Sequence, residues 1–285
     1  MSKKKAFVYF PYPVFPVQSG GQWRCASAMK ALIANGYEVS LVTPGSISAI
    51  QKKMAIGFGI TSYFSIPPLT MLEGAILKMK DYLGHPPIPV ELQNNTKLLK
   101  LLNKIDTKHG PYDLVLINYS NNHWVRQYLR GTKYILDTLD LISVSESMIL
   151  FAQSQINLRG GCIVGYNPEF LKLDFFKNIP IKATVDEVEE CSNFDAVIMI
   201  AEKESSALKA SAPHIETVII PPSATLVVRS GGYEGPPVFA SGPNIFNAQG
   251  LLAFQENILP LILRENPEFE LNLTGLFTHE VALHE

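Results

Sequence analysis

Cysteine is scarce in this chain: Cys25, Cys162 and Cys191 are the only three in 285 residues, an odd number without metal-like spacing. That points to reduced thiols in a cytosolic protein and away from a disulfide framework or a zinc site. No stretch approaches the length of a transmembrane helix. Long blocks of one charge sign are missing too; the formal net charge is −2. The one run of like charge, Lys3-Lys4-Lys5, reads as a solvated lead-in to the first strand, so nucleic acid is disfavoured as a partner. The glycines avoid the Gly-x-Gly-x-x-Gly spacing of a dinucleotide fold, which speaks against a nicotinamide cofactor. Gly-x-Ser-x-Gly and Tyr-x-x-x-Lys are absent, which disfavours a Ser-His-Asp hydrolase and a nucleotide-sugar epimerase. A lysine-led apolar stretch from Ala6 to Val17, followed by Ala26-Ser27-Ala28, has the outline of a signal peptide. Pro11, Pro13 and Pro16 interrupt it, and a strand, loop and helix account for the same residues better.

What is present starts with that unit. Phe7 to Phe10 is a short β-rich run that empties into a loop ending at Gly20-Gly21, and a helical pattern follows through Ala28, Met29, Leu32 and Ile33. A second strand spans Tyr37 to Thr43. Adjacent glycines lack the Cβ atoms that keep a ligand from the backbone, and a helix N-terminus carries partial positive charge, so an anion such as phosphate suits this turn. An ordinary flexible turn explains the same glycines.

Further along, a strand is expected at Thr61 to Ile66, a helix at Leu69 to Leu83, a restricted loop at His85 to Pro89, and a helix from Asn95 to Ile105. The Leu69–Leu83 stripe of Leu69, Leu72, Ile76, Met79 and Leu83 suits core packing, an acceptor cover or a membrane surface. Tyr112 to Ile117 and Tyr134 to Asp137 have the aliphatic pattern of buried parallel strands, with a crossover helix between them at Asn121 to Leu129. Asn118, Tyr119, Ser120 and His123 follow the first of these strands, and Asp137, Thr138 and Asp140 the second. In open α/β sheets ligands gather at carboxyl strand ends, so these residues share a rim with Gly20 and Gly21.

A helix is expected at Leu141 to Ile156, a break at Gly160-Gly161, and a polar helix at Ile181 to Cys191 with Asp186, Glu187, Glu189 and Glu190 solvated. A buried strand at Asp195 to Ile200, a helix to about Ala212 and a strand at Thr217 to Ile220 complete a first domain, 1–222. Residues 223–236 read as a linker. Beyond it, 237–285 begins a second unit with a strand at Val238 to Ala240, a helix at Ala248 to Leu263 and a strand at Phe269 to Leu273. In that helix Leu251, Phe254, Ile258, Leu261 and Ile262 are assigned inward. Two strands and one helix cannot cover both faces of a sheet, so this unit reads as incomplete. The fold class is therefore α/β: a Rossmann-like doubly wound parallel sheet and the beginning of a second such domain.

The order of these pieces resembles glycosyltransferases of the GT-B architecture, in particular family 4. The matching segments are Pro13 through Gly20-Gly21-x-x-Arg24, Gly36 to Pro44, Tyr112 to Val115, and Ile135 to Asp140, which looks like the family's Asp-Thr-His-Asp. Further pieces are Glu187 to Glu202, Val218 to Ser223, and Phe239 through Gly242, Asn247 and Pro260 to Gly275. The resemblance implies two domains facing across a cleft, acceptor on the first and nucleotide sugar on the second. It implies transfer of a hexose from a UDP- or GDP-linked donor to a polysaccharide, lipid or other glycan, with retention of configuration, no metal and no cofactor. Donor binding falls to Gly20, Gly21, Arg24, Gly242, Asn247 and Gly275. Acceptor binding falls to Asn118, Tyr119 and Asp137, and catalysis to His123 and Asp140. A cytoplasmic location follows, peripheral to the inner membrane face as an option.

Two departures stand against the pattern. Leu139 occupies the position of the family's histidine and cannot hydrogen-bond a sugar hydroxyl. His123 on the neighbouring loop is the candidate substitute; its plainer reading is a surface residue at a helix start. The second departure is the glutamate pair with its preceding basic pair, which grips the donor late in the second domain of the family. Glu280 and Glu285 do not have that spacing. The alternative expectation is thus a catalytically inactive, truncated transferase that binds an acceptor or a partner without activating a donor.

Overall fold

The computed structural model describes residues 3–66, 95–159, 162–172, 174–222, 234–241 and 245–275. The Leu69–Leu83 helix, the His85–Pro89 loop, the Gly160-Gly161 break, Gly242 and most of the linker lie outside the described residues. In chain order the elements are β1 (Lys4–Tyr9), α1 (Gly20–Ala34), β2 (Tyr37–Pro44), α2 (Ala49–Phe58), β3 (Ser62–Ile66), α3 (Asn95–His109) and β4 (Leu114–Asn118). A 3-10 helix (Ser120–Tyr128) leads to β5 (Tyr134–Leu139), α4 (Ile142–Gln153), β6 (Ile156–Arg159) and β7 (Cys162–Tyr166). A second 3-10 helix (Pro168–Leu171) precedes α5 (Val185–Ser192), β8 (Ala196–Met199), α6 (Glu202–Ser211) and β9 (Thr217–Ile219). The last elements are β10 (Val238–Ser241), α7 (Ile245–Asn257), α8 (Leu259–Glu265) and β11 (Asn272–Gly275).

Contacts divide the chain into two units, Met1–Leu141 with Lys182–Pro222, and Ile142–Ile181 with Ser223–Glu285. The stretch 142–181, assigned from the sequence to the first domain, groups with the residues after 223. Its aromatic side chains explain the grouping. Phe170 and Phe175 pack edge-on at 5.3 Å, Phe151 stacks on Phe175 at 4.8 Å, and Phe176 meets Phe246 of α7 at 5.2 Å. Gln249 adds hydrogen bonds from its amide to the Phe170 and Lys172 carbonyls.

The first unit holds a seven-stranded sheet in the order β3-β2-β1-β4-β5-β8-β9, with every pair parallel. This is the doubly wound Rossmann-like arrangement expected from the sequence, and the order in which strands are added reverses between β1 and β4. Alternation across β1 shows why it is central. Ala6 and Val8 join Cys25 and Met29 in the core on the α1 side. On the opposite face Phe7 meets Tyr112 edge-on at 5.3 Å and Tyr9 meets Trp124 at 6.4 Å. Both faces are buried, as a parallel sheet requires.

Several elements differ from their expected form. Residues 120–128 form a 3-10 helix instead of an α-helix. The pattern read as one helix to Ile156 ends at Gln153, and Ile156–Arg159 pairs antiparallel with Cys162–Tyr166 as a hairpin. The helix expected at Ala248–Leu263 is two, broken at Ile258, with Pro260 in the first turn of the second, where its missing N–H costs nothing. Of its inward assignments Leu251 is buried, whereas Ile258 and Leu261 are 48% and 56% exposed. Glu187, read as solvated, is buried because it is the N3 residue of a capping box whose Oε2 accepts from the Thr184 N–H and hydroxyl at 2.9 and 3.0 Å. The second unit contributes β10 and β11, a parallel pair joined through α7 and α8. No helix among the described residues is long and apolar enough to cross a membrane.

Candidate functional site

The site grows from the first turn of α1. Ser19 caps the helix, accepting from the Gln22 N–H at 3.3 Å, while Gln22 Oε1 accepts from the Gln18 and Ser19 N–H groups at 2.7 and 3.0 Å. Its Nε2 donates to the Pro13 carbonyl at 2.6 Å, and Val14 and Phe15 are buried beneath, so the loop 13–19 is fixed. Gly20 and Gly21 are the first two residues of the helix, not the end of a free loop. Their N–H groups have no intrahelical acceptor.

The two glycines differ. A Cβ on Gly20 would meet nothing within 4 Å, whereas one on Gly21 would stand 2.5 Å from the Tyr119 hydroxyl. Tyr119 and Leu139, at the ends of β4 and β5, have φ of 66° and 61°. Such left-handed backbone costs on the order of 1–3 kcal/mol at a residue other than glycine and tends to occur at functional sites. Both side chains converge on Gly21: a Cβ there would also lie 3.5 Å from a Leu139 methyl.

Beneath this turn Arg24 reaches across the rim. Its Nε lies 2.8 Å from both Asp137 carboxylate oxygens, and Nη1 donates to the Ile220 carbonyl at 2.6 Å. The side chains are 7% and 3% exposed, and Arg24 Nη2 is buried without a hydrogen-bond partner. Burial raises the Asp137 carboxyl above the usual range, and the Arg24 guanidinium and the Leu139 N–H pull it back. Cys25 is fully buried, and burial with the Asp137 charge raises its thiol too far for a nucleophile.

A cavity of about 520 Å³ opens here, lined by Gly20, Gly21, Trp23, Arg24, Leu139 and Asp140 among others. The rim expected from the sequence is thus assembled: the glycine turn and the Asp137–Asp140 segment share one edge of the sheet. Other candidates are elsewhere. Asn118 is wholly buried, donates to the Tyr9 carbonyl of β1 at 2.8 Å and has its Oδ1 buried without a hydrogen-bond partner, so it does not reach the surface where an acceptor would sit. His123 is turned toward α5, its Nδ1 3.0 Å from the Ser120 carbonyl and 3.5 Å from Glu190 Oε1. It is not among the described residues lining the cavity. Asn247 and Gly275 belong to the second unit, in α7 and at the end of β11.

Sequence reasoning missed Glu204. Burial and the charges of Asp140 and Glu187 push its carboxyl up to about 7, against a hydrogen bond from the Leu141 N–H. Its place just after β8, on the same rim, was the available signal. Tyr119 is pushed up to about 12, chiefly by burial, and is a neutral hydrogen-bonding phenol. Loss of solvent likewise raises Asp140, with Arg24 opposing. Among the described residues no group of three or more His, Cys, Asp or Glu could hold a metal ion.

No family model matches the chain and no curated protein does. Solved structures do match. A Listeria monocytogenes protein described as a UDP-N-acetylglucosamine 2-epimerase aligns with 100% of this chain and 70% of its own at 9% identity and a TM-score of 0.51. A UDP-glucosyltransferase from Polygonum tinctorium that glucosylates indoxyl covers 84% of this chain at 12% identity, TM-score 0.45. LpCGTa in complex with UDP covers 85% at 12% identity, TM-score 0.46. The chain spans 58% and 60% of the length of the last two. At these identities the first likeness shows the Rossmann-like fold and nothing finer.

Proposed function

We propose that this chain belongs to a glycosyltransferase of GT-B architecture that transfers a sugar from a nucleotide-linked donor. The observation that carries the reading is the helix N-terminus at Gly20 and Gly21, open at Gly20 and backed at Gly21 by the Tyr119 hydroxyl instead of free space, standing at a cavity on the same rim as Asp140 and the Arg24–Asp137 pair. Exposed helix N–H groups suit the donor phosphate or the transferred sugar. Asp140, on the cavity wall, holds a reacting hydroxyl, and Arg24 acts as a positioning residue, since its charge is directed at Asp137. The family resemblance supports the finer reading: family 4, retention of configuration, a UDP- or GDP-linked hexose, a glycan or lipid acceptor, no cofactor, and a cytoplasmic site of action at or near the inner membrane face. Asn247, Gly242 and Gly275 are its donor-side candidates.

One observation favours a second reading, a binding protein without transferase activity. Arg24 is the one cation among the described lining residues, and it is neutralised by Asp137. Departure of a nucleoside diphosphate needs fixed positive charge. Calorimetry of the purified chain against UDP- and GDP-sugars separates the two. Micromolar binding of one donor supports the transferase, and silence across the panel supports the binding protein.

A further inference from the structure

Trp23 stands in the first turn of α1, lines the cavity and is 47% exposed. Tryptophan offers a large rigid apolar ring with one N–H donor, suited to a place that is apolar on one side and wet on the other. The neighbouring wall is specific in its chemistry. Val17, Leu139, Ile200 and Pro222 are apolar, Gln18 offers an amide, and Asp140 offers a carboxylate. Because Asp137 cancels Arg24, the charge left on the described part of this wall is that of Asp140. That charge repels a phosphate from the part of the cavity beside it and accepts hydrogen bonds from hydroxyl groups. An aromatic plane, an apolar floor and one acceptor-only group together match a ring that has an apolar C–H face and a hydroxylated edge.

We propose that Trp23 and Asp140 form a subsite for an uncharged sugar ring, the pyranose of the acceptor, with the indole against the ring's C–H face and the carboxylate on its hydroxyls. This rests on the sugar-transfer reading and names the acceptor class of the same cavity. It also divides the labour along α1: the glycine turn serves the reacting sugar and Trp23 the sugar that receives it.

The chain has two tryptophans, so Trp124→Phe leaves Trp23 as the sole indole. The test is acrylamide quenching and emission of that variant titrated with methyl glucopyranoside, N-acetylglucosamine, maltose and cellobiose, and separately with UDP. At least one saccharide should saturate, lower the quenching constant about twofold and shift emission to the blue, and UDP should leave the indole unchanged. Asp140→Asn should weaken that saccharide about tenfold, the equivalent of about 1.4 kcal/mol for a lost charge-assisted hydrogen bond. Silence toward every saccharide, a response to UDP alone, or an unchanged affinity in Asp140→Asn overturns the subsite. Should Trp124→Phe not fold, the same difference is read between the native chain and Trp23→Phe. A silent indole in a chain that binds a nucleotide sugar by calorimetry removes the subsite and leaves the transfer reading. A responsive indole in a chain that binds no donor does the reverse.

Discussion

The two ends of the central sheet each carry an arginine–aspartate pair, alike in chemistry and in length and unlike in the exposure of the arginine. At the carboxyl rim Arg24 Nε lies 2.8 Å from Asp137, with side chains 7% and 3% exposed. At the amino end Arg130 Nε lies 2.7 Å from Asp106, with side chains 63% and 11% exposed. Asp106 also accepts from the Arg130 N–H at 2.9 Å, and the Arg130 carbonyl accepts from Tyr112 at 2.8 Å, so this pair clips a turn to the sheet in contact with water. Equal distances therefore do not mean equal energies. A buried pair contributes little relative to an apolar replacement of both partners, yet breaking it strands a charge; at the amino end water screens the arginine, and the buried Asp106 keeps the Arg130 N–H when the guanidinium is removed.

Breaking the buried pair tests this most severely. Arg24→Met should cost about 3–5 kcal/mol in urea unfolding, and Arg24→Met with Asp137→Leu should recover most of that loss. A single-variant cost no larger than that of Arg130→Gln would refute the ranking by burial. Next, Gly21→Ala should cost about 1–3 kcal/mol by forcing the Tyr119 hydroxyl aside, and Tyr119→Phe in the same chain should return part of it.

The rim also makes stability depend on pH. Glu204 is held near 7 in the folded chain, above the ordinary glutamate value of about 4.3. The folded state thus binds its proton more tightly than the unfolded state does. The contribution is fully present below about pH 4.3 and is lost as pH rises through about 7. Glu204→Gln should flatten that decline and stabilise the chain at pH 8 by about 1–2 kcal/mol after allowance for solvent screening, read from melting curves at several pH values. Arg130→Gln should cost only about 1 kcal/mol. Smallest is Gly20→Ala, neutral to stabilising by up to about 1 kcal/mol, because its Cβ enters open space and the unfolded chain loses freedom.

How far these features were legible follows from their range along the chain. The strands were readable because apolar runs such as Leu114–Ile117 record burial on both faces locally, and the α1 turn because Ser19-x-x-Gln22 and two glycines sit together. The pairing of Arg24 with Asp137, 113 residues away, leaves no local trace, and the sequence reading gave the two residues to different substrates. The burial of Glu187 was hidden by its acidic neighbours, although Thr184-x-x-Glu187 is a capping signature. The 156–166 hairpin was missed because its short first strand continues the apolar pattern of the helix before it. Backbone strain at Tyr119 and Leu139 could not be read from side-chain types at all.

The missing side chain at Gly21 ties two distant positions into one unit of inheritance. Since the phenol oxygen fills the space a methyl group would need, residues 21 and 119 cannot drift separately. Selection from a library randomised at both should return glycine with tyrosine, or a larger residue at 21 with a shorter one at 119, and few of the crossed combinations.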